Sequence, residues 1–430
     1  MTLTDRFIDD TNALTFSPTW LEALLSDAGR VWVGLSGGVD SCVLLHALVS
    51  QITPKQRQQL TAIHIHHGLS AKADEWLLFC QQLCQDWGVG FVAEKVTLKT
   101  QSSIEDAARK ARYDAFEQHL KAKDVLLLAH HQGDQTETVL FRLMRGTGCK
   151  GLAGMPVERP LGETGARLLR PLLSVSKTQI ESYAERFALS WVQDDSNFDE
   201  HYTRNFLRQS VIPPLVSRFP KMQENIASTA QRIQTDYTML ARFAEQQLAS
   251  WCNTQGGLML TELAELPAEE RQFWLRHFLA QHQVSLPHRQ LLNLDAMLTS
   301  AEDKQPEVLL ADKRLQRHQH CLYVLPQENT VVLGKLTEGQ WLTRPFDRVR
   351  VIGATDCELK PRPQGVSITL ANGNTRKLKK WLNDQSIPSW WRDHLPYIYQ
   401  DNQLVAIGDL WVHPDWQGTV EWQPSPQLPI

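Results

Sequence analysis

Two short stretches of this chain put carboxylates beside groups that bind anions. The first, Leu35-Ser-Gly-Gly-Val-Asp-Ser41, follows the apolar run Val31–Gly34 and leads into Cys42–Leu48, so it reads as strand, tight turn and helix start. Gly37 and Gly38 allow close backbone approach, and the amides of the turn and helix start face an anion. Ser36 and Ser41 add hydroxyl donors, and Asp40 places a carboxylate where a divalent cation would sit beside phosphates. With Val39, these residues form a phosphate cradle that lacks the Gly-Lys-Ser/Thr ending of a Walker loop. The second stretch, His130-His-Gln-Gly-Asp134-Gln-Thr-Glu137, ends a buried strand and opens a helix at Asp134. Residues three apart share a helix face, with Cβ atoms about 5–6 Å apart. Asp134 and Glu137 therefore lie on one helix face at the same sheet edge as the phosphate turn, as site groups or, since the same spacing serves it, as helix caps.

Weaker signals surround these two. In His64-Ile-His-His-Gly68, alternation puts His64 and His66 on one strand face and His67 on the other, a poor arrangement for a metal and a better one for a base contact or polar packing. Arg109 and Arg112 share a helix face backed by alanines, suited to phosphate or carboxylate, or else to salt bridges with Glu105 and Asp106. Arg204, Asn205 and Arg208 fall on one side of a helix start, either as a polar junction or as a clamp on a polyanion.

The elements that must position these groups alternate in type. Strands are expected at Val31–Leu35, Leu60–His66, Phe91–Val96 and Val125–Ala129, with helices at Ser41–Ser50, Ala71–Trp87, Ile104–Leu120, Asp134–Arg145 and Ser176–Phe187. That pattern predicts an α/β fold with a Rossmann-like parallel sheet covered on both faces, whose ligands bind at the carboxyl ends of the strands. Ser36, His64–Gly68 and His130–Asp134 would all emerge there. From Val211 to Ala301 the pattern is helical with no strand signal, and helices are expected at Ile226–Leu248 and Pro267–Gln281. Glu328–Lys335 reads as a linker. The remainder reads as a small α+β region with strands such as Arg348–Ile352 and Gly365–Leu370, a basic helix at Lys377–Gln385 and an apolar run at Leu404–Val412. The expected domains are 1–215, 216–335 and 336–430, consistent with 430 residues being too long for one ordinary core.

Composition narrows the class. Met1–Arg30 carries Asp5, Arg6, Asp9 and Asp10, which fits neither a signal peptide nor a membrane span, so a cytoplasmic protein is expected. The seven cysteines form no Cys-x-x-Cys pair and read as reduced, packed thiols. Net charge is −4, yet between Trp341 and Trp381 nine Lys or Arg face three acids. Arg376, Lys377, Lys379 and Lys380 form a basic ridge within that excess, pointing to a polyanionic partner unless they are merely a solvated face.

The phosphate loop resembles that of the ATP pyrophosphatase superfamily, whose members cleave ATP between its α and β phosphates and adenylate a substrate. The ordered set Ser36–Ser41, His64–Gly68, Ala107–Tyr113, Ala129–Thr138, Arg145–Gly148, Gly151–Gly154, Arg170–Leu173, Asp195–Asn197 and Arg204–Arg208 is similar to the tRNA(Ile)-lysidine synthetase family, and Arg376–Trp381 through Ile407–Trp411 resembles its C-terminal domain. The resemblance implies ligation of L-lysine to C2 of the first anticodon cytidine of a tRNA(Ile) with a CAU anticodon, through an adenylated cytidine. AMP and pyrophosphate would be released, and codon and amino-acid identity would change from Met to Ile. It implies ATP and Mg²⁺ at Ser36–Ser41, with Asp40 the metal contact and His64 beside the nucleotide. Asp134 and Glu137 would hold lysine, with Arg112 joining Asp40, Asp134 and Glu137 in catalysis. Arg204, Asn205, Arg208, Arg376, Lys377, Lys379 and Lys380 would hold tRNA, and a second copy of the chain is a further candidate partner. One departure stands out: Gly133 precedes Asp134 where the family usually has a second acid. A thiolase acting on tRNA would share the loop but commonly works through cysteines, and the missing Cys-x-x-Cys argues against it.

Overall fold

The computed structural model describes residues 7–10, 13–68, 70, 72–97, 104–193, 203–253, 256–298, 307–310, 313–318, 320–326, 332–388 and 390–424. The chain divides into two compact units, 1–239 and 240–430, and the division falls within the helix Met222–Trp251.

In the first unit a six-stranded sheet comprises β1 (Val31–Gly34), β2 (Leu60–His66), β3 (Gly90–Lys95), β4 (Val125–Leu127), β5 (Glu158–Leu161) and β6 (Ala166–Leu169), in the order β3-β2-β1-β4-β6-β5. Val31 of β1 lies opposite Leu60 on one side and Val125 on the other, and only β5 runs antiparallel to its neighbour. Alternation along β1 sends Val31 and Val33 into one core and Trp32 into the other. The first core is covered by α1 (Val39–Ser50), α2 (Ala73–Trp87) and α5 (Lys177–Arg186), and the second by α3 (Ile104–His119). The fifth sheet-flanking helix, α4 (Gln132–Met144), follows β4.

Four strands and five helices of this unit lie within two residues of their expected positions. The hairpin β5–β6 is an addition to that expectation. Its strands are four residues each and carry Arg159, Pro160 and Arg167, which mask the apolar pattern; Pro160 is tolerated because β5 is a sheet edge. Of the cysteines, Cys42, Cys80 and Cys84 are buried in the first core, where desolvation pushes the Cys42 and Cys84 thiols up to about 12.

The second unit contains helices Ala268–Gln281 and His288–Leu298 packed with a four-stranded sheet. That sheet corrects the strand-free expectation for 211–301, because Leu258–Met259 pairs with Cys321–Pro326, as does the unexpected strand Lys313–His318. The expected linker also ends in a strand, Gly334–Leu336. The run Leu404–Val412 is two strands, Gln403–Ile407 and Trp411–Val412, reversing at Gly408, which sits at φ +50°. The unit also holds a five-stranded sheet, a three-stranded sheet, the two-stranded pair Ser367–Thr369 with Thr375–Lys377, and the helix Leu378–Asp384.

A buried ion pair anchors the three-stranded sheet. Arg344 and Asp347 close the hairpin between Leu342–Arg344 and Asp347–Ile352, with Arg344 Nε 2.6 Å from Asp347 Oδ1. Trp422 Nε1 donates to Asp347 Oδ2 at 2.7 Å, and Arg344 Nη2 donates to the His394 carbonyl at 2.9 Å. Removing one partner strands the other charge away from water. Asp347→Ala is therefore expected to cost about 3–5 kcal/mol, measured by urea unfolding followed through tryptophan fluorescence; a loss below about 1 kcal/mol would show that the pair does not hold the sheet.

Candidate active site

The carboxyl ends of β1, β2, β4 and β6 deliver the chemistry-bearing residues to one edge of the sheet. After β1, Gly37 adopts φ +88°, and a Cβ there would lie 2.8 Å from Val192 Cγ2 and 3.2 Å from Cys80 Sγ, so the turn requires glycine on both counts. The serine hydroxyls knit the loop together: Ser36 Oγ lies 3.1 Å from Ser41 Oγ, and Ser41 Oγ accepts from the Ser36 amide and donates to the Gly38 carbonyl. Gly38 is the N-cap of α1 and no side chain caps this helix, so its first amides are left facing any anion that enters. His64, at the end of β2, donates from Nδ1 to the Leu35 carbonyl at 2.8 Å. Burial keeps this imidazole below its ordinary pKa, and it braces the loop from behind.

The helix with the two acids begins at Gln132, two residues before the expected Asp134. The N-cap is His131, whose Nδ1 accepts the Gly133 amide at 3.0 Å while the Asp134 carboxylate accepts the His131 amide at 2.9 Å. Asp134 is thus the third residue of the helix and closes its capping box, so the capping reading of its position holds. The same geometry accounts for Gly133: a Cβ there would lie 2.7 Å from Cε1 of the His131 ring. Since Nδ1 accepts, the His131 proton sits on Nε2, which lies 3.6 Å from Asp134 Oδ2 and 3.9 Å from Asp40 Oδ1. One imidazole edge therefore spans the phosphate loop and the helix acids.

Both acid groups already carry cations from elsewhere in the chain. Lys177 Nζ, on the first residue of α5, lies 2.6 Å from Asp40 Oδ1. Arg208 grips Glu137 with Nε at 2.6 Å from Oε1 and Nη2 at 3.0 Å from Oε2, and its Nη2 is 3.5 Å from Asp134 Oδ1. Arg208 belongs to a π-helical turn, Leu207–Val211, between the helices Thr203–Phe206 and Ile212–Arg218. Its guanidinium is turned onto the helix acids, a pairing that the sequence reading did not include. Burial works to raise the Asp134 pKa, but the His131 and His130 rings, the His131 amide and Arg208 outweigh it and hold the carboxyl below its ordinary value. At Glu137 burial wins despite Arg208, and the pKa is raised.

A second cluster is cationic throughout. Arg112 is exposed on α3 in a crowded recess, where desolvation lowers its pKa and the guanidiniums of Arg109 and Arg204 lower it further. Arg109 lies over the Tyr113 ring at 5.3 Å, with Arg159 at 4.9 Å. Arg170, 2% exposed at the end of β6, donates from Nε to His130 Nδ1 at 3.2 Å and from Nη1 to the Pro156 carbonyl at 2.7 Å. Burial foremost, with Arg170, Arg112 and Arg109 outweighing the pull of Asp134, drops His130 to about 3; burial and Arg112 drop His67 to about 4. Arg142 donates to the carbonyls of Gly151 and Gly154, so the Gly151–Gly154 motif is a turn tied to α4.

In the second unit, Leu378, Trp381 and Leu382 are buried on the inner face of their helix, leaving Lys379 and Lys380 exposed. Lys377 is also exposed, but it ends the strand Thr375–Lys377 and is the N-cap of that helix, not part of it. Arg376 pairs with Asp384, Arg350 with Glu421, Lys360 with Glu358 and Arg362 with Asp393. Cross-strand and local pairing thus consumes most of the basic excess and leaves the three lysines outward.

Sequence reasoning missed Lys177 and gave no individual role to His131 or Arg170. For Lys177 a signal existed, since a cation in the first turn of a helix opposes the helix dipole. Asp195–Asn197, named in the resemblance, lie outside the described residues.

Comparison with known proteins covers nearly the whole chain. A PP-loop domain matches residues 12–215, a TilS substrate binding domain residues 258–323 and a TilS substrate C-terminal domain residues 357–424. The tRNA(Ile)-lysidine synthase of Pseudomonas syringae pv. tomato is 37% identical over 89% of this chain and 89% of its own length. That of Vibrio cholerae (strain El Tor Inaba N16961) is 36% identical over 90% of this chain and 92% of its own. That of Proteus mirabilis is 33% identical over 92% and 96%. Relatives with this name extend through both units, so the thiolase reading is not favoured. A phosphate cradle, two helix acids beside it and these relatives lead to one assignment: the chain belongs to the tRNA(Ile)-lysidine synthase family.

Proposed function

We propose that this protein joins L-lysine to C2 of the first anticodon cytidine of a tRNA(Ile) with a CAU anticodon, consuming ATP and releasing AMP and pyrophosphate. Beyond the family itself, the observation that carries the lysine assignment is the pair Asp134 and Glu137, which already holds a cationic side chain next to the phosphate loop. A site that seats a guanidinium is fitted for the ammonium of a lysine. The division 1–215, 216–335 and 336–430 is retained as the working domain scheme, and action on tRNA agrees with a place in the cytosol.

ATP would lie with its phosphates against Gly37–Ser41 and the start of α1. Asp40 is the residue that would hold Mg²⁺: it is an oxygen donor at the loop and already binds an ammonium group. When bound, the ion would neutralise phosphate charge. The cytidine O2 attacks the α-phosphorus, the bond to the β-phosphate oxygen breaks and the base becomes activated at C2. A cytidine in a single-stranded loop leaves its stack at little cost. The lysine ε-amine then attacks C2 and AMP leaves.

An ammonium cannot attack, so one carboxylate must take a proton. Glu137, raised by burial, is the better acceptor, while Asp134, held ionised, anchors the cation. Arg112, with Arg109 and Arg204, offers positive charge to the departing AMP and the anticodon phosphates. The governing experiment is AMP release with total bacterial tRNA and each amino acid in turn; turnover that needs both lysine and tRNA supports the proposal, and turnover with other amino acids overturns it.

Glu137→Gln keeps size and removes charge. It is expected to raise the KM for lysine and lower kcat while leaving the KM for ATP within about twofold, because one lost charge-assisted hydrogen bond costs about 1.5–3 kcal/mol. An equal loss for ATP would move Glu137 from lysine to the nucleotide.

The low His130 pKa has a pH consequence. The unfolded chain protonates this ring near 6.5 and the folded protein only near 3. Within that window the unfolded state binds more protons, so stability falls as pH falls. His130→Gln is expected to shrink the loss of unfolding free energy between pH 7 and pH 4.5 by on the order of 2 kcal/mol. Denaturant titrations at the two pH values measure it, and an unchanged difference would show that His130 titrates normally.

Lys377, Lys379 and Lys380 are proposed to bind tRNA backbone away from the cytidine. Their triple alanine variant is expected to raise the KM for whole tRNA, with a salt dependence flattened by about one unit of slope per lost contact, and to leave an anticodon stem-loop unaffected. Equal losses on both substrates would place these lysines at the anticodon.

A further inference from the structure

The phosphate loop contains no cation. Its Ser-Gly-Gly-Val-Asp-Ser string offers amides, hydroxyls and a carboxylate, whereas the β- and γ-phosphates of ATP bring most of the negative charge. The nearest answer in the structure is Lys177, whose Nζ sits on Asp40 at 2.6 Å. Neither side chain is sealed in, since 39% of Lys177 and 31% of Asp40 remains accessible. That contact is free to exchange.

The backbone beneath Lys177 is fixed relative to the loop. Ser176 caps α5 in a full capping box with Gln179. Ile180, Tyr183 and Ala184 are buried in the same core as α1, and the Tyr183 hydroxyl lies 3.0 Å from His46 Nδ1 on α1. The helix that begins with Lys177 is therefore bolted to the helix that begins at the phosphate loop. Only the flexible four-carbon stem has freedom to move. A lysine at the first position of a helix also works against the dipole, a local cost that function can justify.

We propose that Lys177 is a phosphate-binding residue of the reaction. It leaves Asp40 for the β- and γ-phosphates when ATP enters, and stays with the pyrophosphate as that group departs. As the bond from cytidine O2 to the α-phosphorus forms, the bond to the β-phosphate oxygen breaks, and its electron pair remains on pyrophosphate, where the Lys177 ammonium meets it. The loop thus obtains from α5 the cation that a Walker loop carries in its own sequence. This inference rests on the loop holding the phosphates of ATP, and AMP binding tests that footing separately.

The experiment measures equilibrium binding of ATP, pyrophosphate and AMP by calorimetry in EDTA, so that metal plays no part. Lys177→Met is expected to weaken ATP and pyrophosphate by about tenfold and leave AMP unchanged, which also shows that the variant is folded. Lys177→Arg is expected to restore most of the loss. If Lys177 serves only to neutralise Asp40, its loss would have no effect in an Asp40→Asn background, and that result overturns the proposal. A persistent tenfold loss in that background supports it. Equal weakening of AMP, or no weakening of pyrophosphate, also overturns it. Failure of the wild-type protein to bind ATP at all would instead refute the nucleotide site.

Discussion

Carboxylates beside a phosphate site repel the anion the site is built to hold, and this conflict governs the architecture of the first unit. Asp40, Asp134 and Glu137 gather at the same sheet edge as the open amides of α1. The chain resolves the conflict by bringing each acid group a cation from a distant element, Lys177 for Asp40 and Arg208 for Glu137 and Asp134. Both cations keep a face to solvent, so both can yield to incoming groups. A site assembled this way is close to neutral before its substrates arrive, which limits the electrostatic cost of holding opposite charges in one cleft.

The neighbouring arginine recess has the opposite character. Desolvation, with Arg109 and Arg204 beside it, lowers the pKa of Arg112, and Arg170 is buried against a histidine and a carbonyl. Positive charge gathered in one place creates a local field that favours an anionic ligand. The two regions therefore differ in character: acids matched by cations beside the phosphate loop, and a gathering of arginines in the recess.

What could be read from the sequence was what is local in it. The phosphate turn spans six residues and the two helix acids four, so their spacing alone placed them. The pairings were not legible because Lys177 meets Asp40 across 137 positions and Arg208 meets Glu137 across 71. Arg208 also lies in a π-helical turn that no periodicity signals. In the basic region a count of charges overstated the free ones, because Arg350, Lys360, Arg362 and Arg376 find acids through strand pairing and helix contacts. The strands β5 and β6 were hidden by short length and by the arginines and proline within them.

The His131 ring lying against Gly133 has an evolutionary reading. Position 133 and the rotamer of residue 131 form one unit: the ring occupies the space that any side chain at 133 would need. A lineage with an acid there must orient its histidine differently, and with it the hydrogen that spans Asp40 and Asp134. Substitutions at these two positions are therefore epistatic. A chimera that imports the second acid alone acquires a collision, while one that imports both the acid and the surrounding turn acquires a different wiring of the same three carboxylates.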